Sequence, residues 1–214
     1  MLIAIDGPAA SGKGTLSRLI AAHYGLPHLD TGKLYRAVAR DTLAARGKPA
    51  DAGAALAAAK ALDPATLDDP QLMERRLGEA ASIVASHPGV REALRAYQRA
   101  FAGQARGAVI DGRDIGTVIA PEAVAKLFVD ARPEVRAHRR WLELQNMGII
   151  RDEGAVLAEL NIRDAADRNR PISPLLQAVD AALLDTSDLG IDAAFAAALA
   201  LVDFKVKEAL AARL

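Results

Sequence analysis

Short apolar runs alternate with longer amphipathic stretches along this chain. The runs are "LIAI" at residues 2–5, "GAVID" at 107–111, "AKLFVD" at 125–130 and "ALLDTS" at 182–187. Continuous apolar runs bounded by turn signals indicate buried parallel strands, and the stretches that follow them have a helical pattern. Alternation of strand and helix predicts an α/β fold, with a parallel sheet flanked by helices.

Three other segments are predicted to be mainly helical. Residues 41–78 are rich in alanine with only weak turns, and residues 146–174 contain an arginine-dense helix that runs to "RPISP". The C-terminal stretch from "DLGID" is predicted to be a capped helix, with Asp188 or Asp192 near its start. The first two segments lack the strand pattern, so we expect them to depart from the core.

Composition narrows the class of protein. The 214-residue chain is long enough to bury a real core within one compact domain. Hydrophobic residues make up 51% but aromatic residues only 4%, so alanine dominates and closely packed helices are expected. Lys plus Arg (27) equals Asp plus Glu (27), which argues against a nucleic-acid partner, because such proteins usually carry a basic excess. The absence of cysteine excludes disulfides and thiolate metal sites.

Neither end of the chain suggests a membrane partner. The opening "MLIAIDG" lacks the basic segment of a signal peptide. The longest apolar stretch, "IDAAFAAALALV" at 191–202, is too short to span a bilayer. We therefore expect a cytoplasmic protein.

A phosphate-binding loop is predicted where the first strand gives way to a helix. Small residues there let successive backbone N–H groups turn toward an anion, and the helix N-terminus adds the positive end of its dipole. Lys13 supplies a mobile positive charge to the outer phosphates. The predicted ATP-binding residues are Gly7, Pro8, Ala9, Ala10, Ser11, Gly12, Lys13, Gly14 and Thr15.

The hydroxyl of this loop is displaced by one position. Gly14 follows the lysine, and Thr15 comes next, so the loop "GKGT" resembles that of nucleoside-monophosphate kinases. Such a loop suits Mg²⁺ held by the phosphates of ATP and by water, because Mg²⁺ sheds water reluctantly. We therefore expect no side chain to bind Mg²⁺ directly. The Thr15 hydroxyl is the one candidate for such a ligand. Asp6, just before the loop, either orients Lys13 or water around the metal, or forms a turn.

Three further stretches are candidates for binding a phosphoryl acceptor. They are "LDTGKLYR" at 29–36, "VIDGRDIGT" at 109–117 and "NIRDAADRNRP" at 161–171. In the last of these, Arg163, Asp167 and Arg170 are spaced i, i+4 and i+7, which places them on one helical face. That face is either a phosphate-binding surface, for which arginine's planar fork is suited, or a solvated helix with internal ion pairs.

Together with the phosphate loop, these motifs resemble those of bacterial cytidylate kinases. The similar segments are "IAIDGPAASGKGT", "DTGKLYR", "PGVREALRAYQRAF", "DGRDIGT", "AHRRWLELQ" and "RDAADRNR". The resemblance in the order and spacing of the motifs runs over most of the chain, and it is strongest over residues 3–39, 79–145 and 155–175. The resemblance implies a P-loop NTPase-like fold and transfer of a phosphoryl group from ATP, with Mg²⁺, to CMP or dCMP.

The resemblance also implies which residues bind the acceptor. Ser82, Arg91 and Asp114 match the positions that read the base, and a carboxylate there accepts a hydrogen bond from the amino group of cytosine. Uracil would offer a carbonyl to the same carboxylate and should be disfavoured. The matching residues for the sugar and phosphate are Thr31, Arg36, Arg113, Arg163, Asp167 and Arg170.

A lid and an acceptor-binding insert are implied in the same way. The catalytic residues implied are Lys13, Arg136, Arg139, Arg140 and Arg163, because lid arginines of related kinases reach the transferred phosphoryl group, whose charge they neutralise. His138 is expected to be a surface or packing histidine. We expect a monomer. Its predicted boundaries are a core of 1–36, 86–145 and 173–214, a shortened acceptor-binding insert of 37–85 and a lid of 146–172.

Two alternatives remain open at this point. Another P-loop small-molecule kinase, acting on UMP, AMP or shikimate, would share the loop and the arginines. Asp114 would discriminate between them, because it should matter selectively for an amino-pyrimidine. A nucleotide switch without an acceptor would need a dedicated metal-binding aspartate after a strand and an "NKxD"-like base reader, and neither motif was recognised.

Overall fold

A central sheet confirms the predicted α/β class. The computed structural model describes residues 1–211, apart from the side chains at positions 73 and 75. Its strands are β1 (Leu2–Asp6), β2 (His28–Asp30), β3 (Ala108–Gly112), β4 (Ala125–Asp130) and β5 (Ala182–Asp185). They lie in the order β2-β3-β1-β4-β5. Strand β1 pairs in parallel with β3 and β4, and β4 pairs in parallel with β5.

Helices occupy most of the remaining described chain. They are α1 (Lys13–Tyr24), α2 (Thr31–Ala44), α3 (Ala52–Lys60), α4 (Arg75–Val84), α5 (Pro88–Ala102), α6 (Pro133–Asn146), α7 (Glu153–Arg168) and α8 (Ile191–Ala211). Two 3₁₀ turns, Pro64–Asp68 and Pro70–Met73, precede α4, and a π turn, Ile115–Ile119, follows β3. The four predicted strands are confirmed. The three-residue β2 was not predicted, because it is too short to produce an apolar run.

By its contacts the chain divides into two compact units. Unit 1 consists of Met1–Leu29 and the residues from Gln104 onward, and unit 2 consists of Asp30–Gly103. This division concerns packing within each unit. The functional boundaries predicted for the acceptor-binding insert and the lid stay predictions. Among the described residues, no helix is both long and apolar enough to cross a bilayer.

The core of unit 1 lies between the central strands and two helices. Ile3 and Ile5 of β1 and Leu127 of β4 are buried, and they belong to one cluster with residues of α1 and α8. On α8 the residues that face this cluster include Ala198 and Val202, whose small size lets the helix lie close to the sheet. Burial of β1, β3 and β4 on both faces explains why their sequences are continuously apolar.

Aspartates cap the first two helices of unit 2. Asp30 accepts a hydrogen bond from the Gly32 N–H at 2.9 Å at the start of α2, and Asp51 accepts from the Gly53 N–H at 2.9 Å at the start of α3. Each satisfies backbone donors that have no partner within the helix. The predicted helical character of residues 41–78 is confirmed, with 3₁₀ turns near its end.

Gly107 is a glycine whose replacement should damage the fold of unit 1. It has φ of +87°, and a Cβ there would lie 2.1 Å from the Met1 carbonyl oxygen. We expect Gly107→Ala to lower the free energy of unfolding by about 2 kcal/mol or more, because strain and a backbone clash add together. Urea unfolding measures the loss. Gly89→Ala is the control, because its Cβ would meet only Leu56 methyl groups, at 3.6 Å. Equal stability of the two variants would contradict the prediction.

Candidate active site

The turn between β1 and α1 has the backbone of an anion cradle. Gly7 has φ of +153°, and a Cβ there would lie 2.0 Å from the Val129 carbonyl oxygen, so only glycine fits. Gly12 (φ 89°) also has positive φ, which glycine adopts without strain, and Ala10 (φ 60°) has the left-handed conformation that is uncommon for a residue with a Cβ. Helix α1 begins at Lys13, directly after this loop. The first N–H groups of a helix have no acceptor within it, so they suit a bound anion.

Two carbonyl groups of the loop are held by side chains from elsewhere in unit 1. The Ala9 carbonyl accepts from an Arg136 N–H at 3.2 Å, and the Ser11 carbonyl accepts from the Thr186 hydroxyl at 2.9 Å. Because the N–H and C=O of one planar peptide point in opposite directions, the N–H groups of the following residues are directed to the other side. The loop therefore presents N–H groups on one side and has its carbonyls engaged on the other. Lys13 Nζ also donates to the Pro8 carbonyl, at 3.2 Å.

Arg136 supports the loop from a buried position. Its side chain is 1% exposed and pairs with buried Asp164 on α7 at 2.6 Å. The guanidinium also donates to the Ala131 carbonyl at 2.9 Å. All its nitrogen atoms are thus engaged by α7, by the chain before α6 and by the loop. The predicted contact of Arg136 with a transferred phosphoryl group stays untested, and this burial favours a positioning role instead.

The other two arginines of α6 have different surroundings. Arg139 donates to the hydroxyl and the carbonyl of Thr186, at 3.0 and 2.6 Å, and burial lowers the pKa of its guanidinium. It therefore holds the same threonine that holds the loop. Arg140 pairs with Glu143, one turn along the helix, at 2.6 Å. His138 is exposed, as predicted, and bonds to Glu153.

An arginine cluster surrounds Asp167 on α7. Arg113 Nε donates to Asp167 at 2.9 Å, and Arg170 donates to its other carboxylate oxygen. Burial by itself would raise the pKa of Asp167, but the charges of Arg113, Arg163 and Arg170 outweigh it and hold the pKa below its ordinary value. Three guanidinium groups thus lie near one carboxylate. The net charge of this cluster is positive, which suits the binding of a phosphate.

The turn after β3 carries two of the predicted acceptor residues. Arg113 and buried Asp114 follow the last residue of β3, and the Asp114 carbonyl accepts from the Val118 N–H at 2.9 Å and the Ile119 N–H at 3.1 Å. The Asp6 carboxylate accepts from the Ile115 N–H at 2.8 Å and the Gly116 N–H at 2.7 Å. These bonds serve a turn far away in the sequence, which is neither of the two roles considered for Asp6, and its orientation of Lys13 or of water around the metal stays a prediction.

The remaining acceptor candidates lie in unit 2. Thr31 is buried as the first residue of α2, and Arg36 donates to the Leu72 carbonyl at 3.1 Å. Buried Arg91 lies over the ring of Tyr35, with its guanidinium carbon 5.5 Å from the ring centre. Ser82 is half-buried on α4. The roles predicted for these four residues stay predictions.

The donor atoms at the loop suit a metal that arrives with its nucleotide. Within the described residues 1–211, no group of three or more histidine or acidic side chains is arranged to hold a metal ion. The half-buried Thr15 hydroxyl, in the first turn of α1, is an oxygen donor of the kind that Mg²⁺ binds. The Thr15 hydroxyl therefore has chemistry that fits Mg²⁺, and its role as a metal ligand stays a prediction.

Three residues that support the site were not assigned these roles from the sequence. They are Thr186 beneath the loop, Asp164 beside Arg136, and Asp111, which bonds to His28 at 2.7 Å. Asp111 and Thr186 stand at or directly after strand ends. That position is the only signal that could have found them, because ligand sites of α/β sheets lie outside the carboxyl ends of the strands.

Comparison with known proteins points to one family. Residues 3–203 match the family model described as "Cytidylate kinase". Curated proteins named cytidylate kinase are similar over 203 residues, or 95% of this chain. Those from Xanthobacter autotrophicus, Azorhizobium caulinodans and Nitrobacter winogradskyi are 60%, 58% and 56% identical, and the match covers 97%, 98% and 96% of their lengths.

A solved structure shares the fold at low identity. The crystal structure of an uncharacterised protein from Eubacterium ventriosum superposes with a TM-score of 0.54 at 16% identity. The match covers 95% of this chain and 98% of that one. At this identity the likeness concerns the fold alone.

The Arg136–Asp164 pair should behave as a buried structural pair. We expect Arg136→Met to lower the free energy of unfolding by about 3–5 kcal/mol, because Asp164 would keep an uncompensated buried charge. Arg136→Met combined with Asp164→Leu should recover most of that loss. Urea unfolding of both single variants and the double variant measures the coupling. Additive losses would mean that the two residues act independently.

Proposed function

The chain belongs to the cytidylate kinase family, and we propose that it transfers the γ-phosphoryl group of ATP to CMP and dCMP, giving ADP and the corresponding diphosphates. The observation that carries the proposal is the pairing, within unit 1, of an anion cradle with an arginine cluster. The cradle is the loop of residues 7–12, and the cluster surrounds Asp167. A kinase needs a phosphate site for the donor and another for the acceptor, and these two features supply both.

Phosphoryl transfer needs alignment and charge neutralisation more than covalent help. In the proposal the loop binds the β- and γ-phosphates of ATP through its N–H groups, and Lys13 adds its charge to them. The cluster around Asp167 holds the α-phosphate of CMP. Asp167 keeps the arginines in position, because its carboxylate is already bonded to two of them. In-line transfer then requires an oxygen of the CMP phosphate to face the γ-phosphorus.

Recognition of the base rests on three residues in the proposal. Asp114 accepts a hydrogen bond from the cytosine amino group, and Arg91 donates to the ring acceptors, with Ser82 as a further polar contact. Asp114 is buried, so a base that left it without a donor would lose a desolvated hydrogen bond. Thr31 and Arg36 complete the proposed contacts with the sugar and phosphate.

Water must be kept from the γ-phosphate, and charge must be neutralised there as it transfers. The proposal assigns charge neutralisation to Lys13 and Arg163, with Arg139 and Arg140 as arginines of the lid. Arg136 instead holds the loop. When bound with ATP, Mg²⁺ neutralises negative charge on the phosphates. Thr15 and the phosphate oxygens would hold it.

The proposal extends to a monomeric protein in the cytoplasm. The chemistry assigned to the site uses soluble, charged nucleotides and residues of a single chain. No contribution from a second chain is needed to supply the residues named above.

A panel of acceptors tests this function. With ATP and Mg²⁺, we expect kcat/KM for CMP and dCMP to exceed that for UMP, AMP and shikimate by at least about 100-fold, because buried polar groups reject unmatched partners. A coupled assay for ADP measures the rates. Lys13→Ala should lower kcat for CMP by on the order of 100-fold. Faster turnover of UMP or AMP than of CMP would refute the specificity.

Asp114 should determine the choice of base. We expect Asp114→Ala to lower kcat/KM for CMP by about 100-fold and for UMP by less than about 10-fold, because cytosine offers the carboxylate an amino group where uracil offers a carbonyl. Asp192→Ala is the matched control, because Asp192 is exposed in the first turn of α8. An equal loss for both acceptors would show that Asp114 does not read the base.

A further inference from the structure

We propose that Asp6 is a positioning residue for acceptor recognition: its carboxylate holds the turn that carries Arg113 and Asp114 in a fixed place beside the phosphate loop. The inference deepens the proposed function and rests on it. We name residues 113–116 the acceptor turn. Asp6 need not touch either nucleotide for this role, because it acts through the backbone of that turn.

The Asp6 carboxylate accepts hydrogen bonds from two adjacent backbone amides. One carboxylate oxygen accepts from the Ile115 N–H at 2.8 Å, and the other accepts from the Gly116 N–H at 2.7 Å. Two bonds to adjacent amides fix both the position and the rotation of the peptide between them. Arg113 and Asp114 immediately precede the two bonded amides, so the placement of their side chains depends on these hydrogen bonds.

The backbone of Asp6 is held firmly in the central sheet. Asp6 is the last residue of β1, and it is paired with Gly112 of β3 and Phe128 of β4. At the next residue, Gly7, an added Cβ would lie 2.0 Å from the Val129 carbonyl oxygen, so the backbone there packs closely against the end of β4. The carboxylate is therefore anchored at the point where the phosphate loop begins, and it transmits that position to the acceptor turn.

The acceptor turn lies directly against the carboxylate. A Cβ at Gly116 would lie 3.4 Å from an Asp6 carboxylate oxygen and 3.2 Å from the Lys126 side chain. Lys126 itself pairs with Asp180 at 2.8 Å. The turn thus has little free space on this side, and a Cβ at Gly116 would press on the Lys126 side chain and contact the Asp6 carboxylate.

The environment of Asp6 indicates that the carboxylate does not stabilise the fold by being charged. Burial raises its pKa to about 7, and the Ile115 and Gly116 N–H bonds only partly offset that effect. Since the folded protein holds this proton more tightly than the unfolded chain, the unfolding free energy falls as pH rises from about 4 to about 7. A neutral side chain at this position avoids the loss of unfolding free energy that comes from burying the charged carboxylate. Asp6→Asn should therefore fold, so that its effect on recognition can be measured.

Asp6→Asn tests the inference with a near-isosteric change. The amide keeps one acceptor and turns the other oxygen into a donor that faces an N–H group. We expect KM for CMP to rise about tenfold and the CMP-to-UMP ratio of kcat/KM to fall about tenfold, corresponding to one lost hydrogen bond. KM for ATP should change less than about twofold. Equal increases in KM for ATP and CMP would overturn the inference, because Asp6 would then act on the phosphate loop.

Two further variants separate a selective effect on CMP recognition from a general loss of stability. Asp130→Asn is the matched control, since Asp130 ends the adjacent strand β4 and its carboxylate bonds to its own neighbour, the Ala131 N–H. It should leave the CMP-to-UMP ratio unchanged. Gly116→Ala disturbs the same contact from the other side without altering charge, and it should reproduce the selective loss for CMP. Retention of the wild-type ratio in both Asp6→Asn and Gly116→Ala would overturn the inference.

Amide hydrogen exchange separates this inference from the proposed function. In Asp6→Asn we expect the Ile115 and Gly116 amides to exchange at least about tenfold faster than in the wild type, while the amides of β1 stay protected. This measurement needs no substrate. If the wild type failed to phosphorylate CMP, the proposed function would fail. Unchanged exchange at the two amides would overturn the role of Asp6 whatever the activity.

Discussion

The parallel pairing of β1 with β3 is the constraint on which the site in unit 1 depends. The register places Asp6 beside Gly112, so both strands end at the same level. The phosphate loop leaves one strand end, and the turn with Arg113 and Asp114 leaves the other. Parallel strands direct their carboxyl ends to a single edge of the sheet, and the phosphate loop and the turn with Arg113 and Asp114 are thereby brought to that edge. Asp6 adds a direct bond between the two.

The arginines of unit 1 are distinguished by their acidic partners. Arg136 is buried against Asp164 and engages a loop carbonyl, whereas Arg140 pairs with a neighbour on its own helix. Arg113 and Arg170 share Asp167. The chain has no net charge, so the positive charge around Asp167 reflects how the arginines are distributed and not an excess over the whole chain. The spacing of arginines along α6 and α7 does not reveal this distribution.

Sequence reasoning succeeded where the determinant was local. The strands were predicted because each is a continuous apolar run, and the phosphate loop because glycines, a lysine and a threonine follow such a run. It failed for β2, whose three residues carry no pattern of their own. It also left open the role of Asp6, whose partners lie 109 and 110 residues further along the chain. The domain boundaries and the roles of the acceptor residues stay predictions.

The amino-acid order alone therefore determined the fold class, the phosphate loop and the family, because each depends on neighbouring residues or on short motifs in a fixed order. Only the tertiary structure decided which arginine lies beneath the loop, which carboxylate gathers the arginine cluster, and which aspartate holds the turn after β3. Those outcomes depend on burial and on contacts between distant segments. Local sequence encodes neither, since strand register and helix packing are set by the whole core.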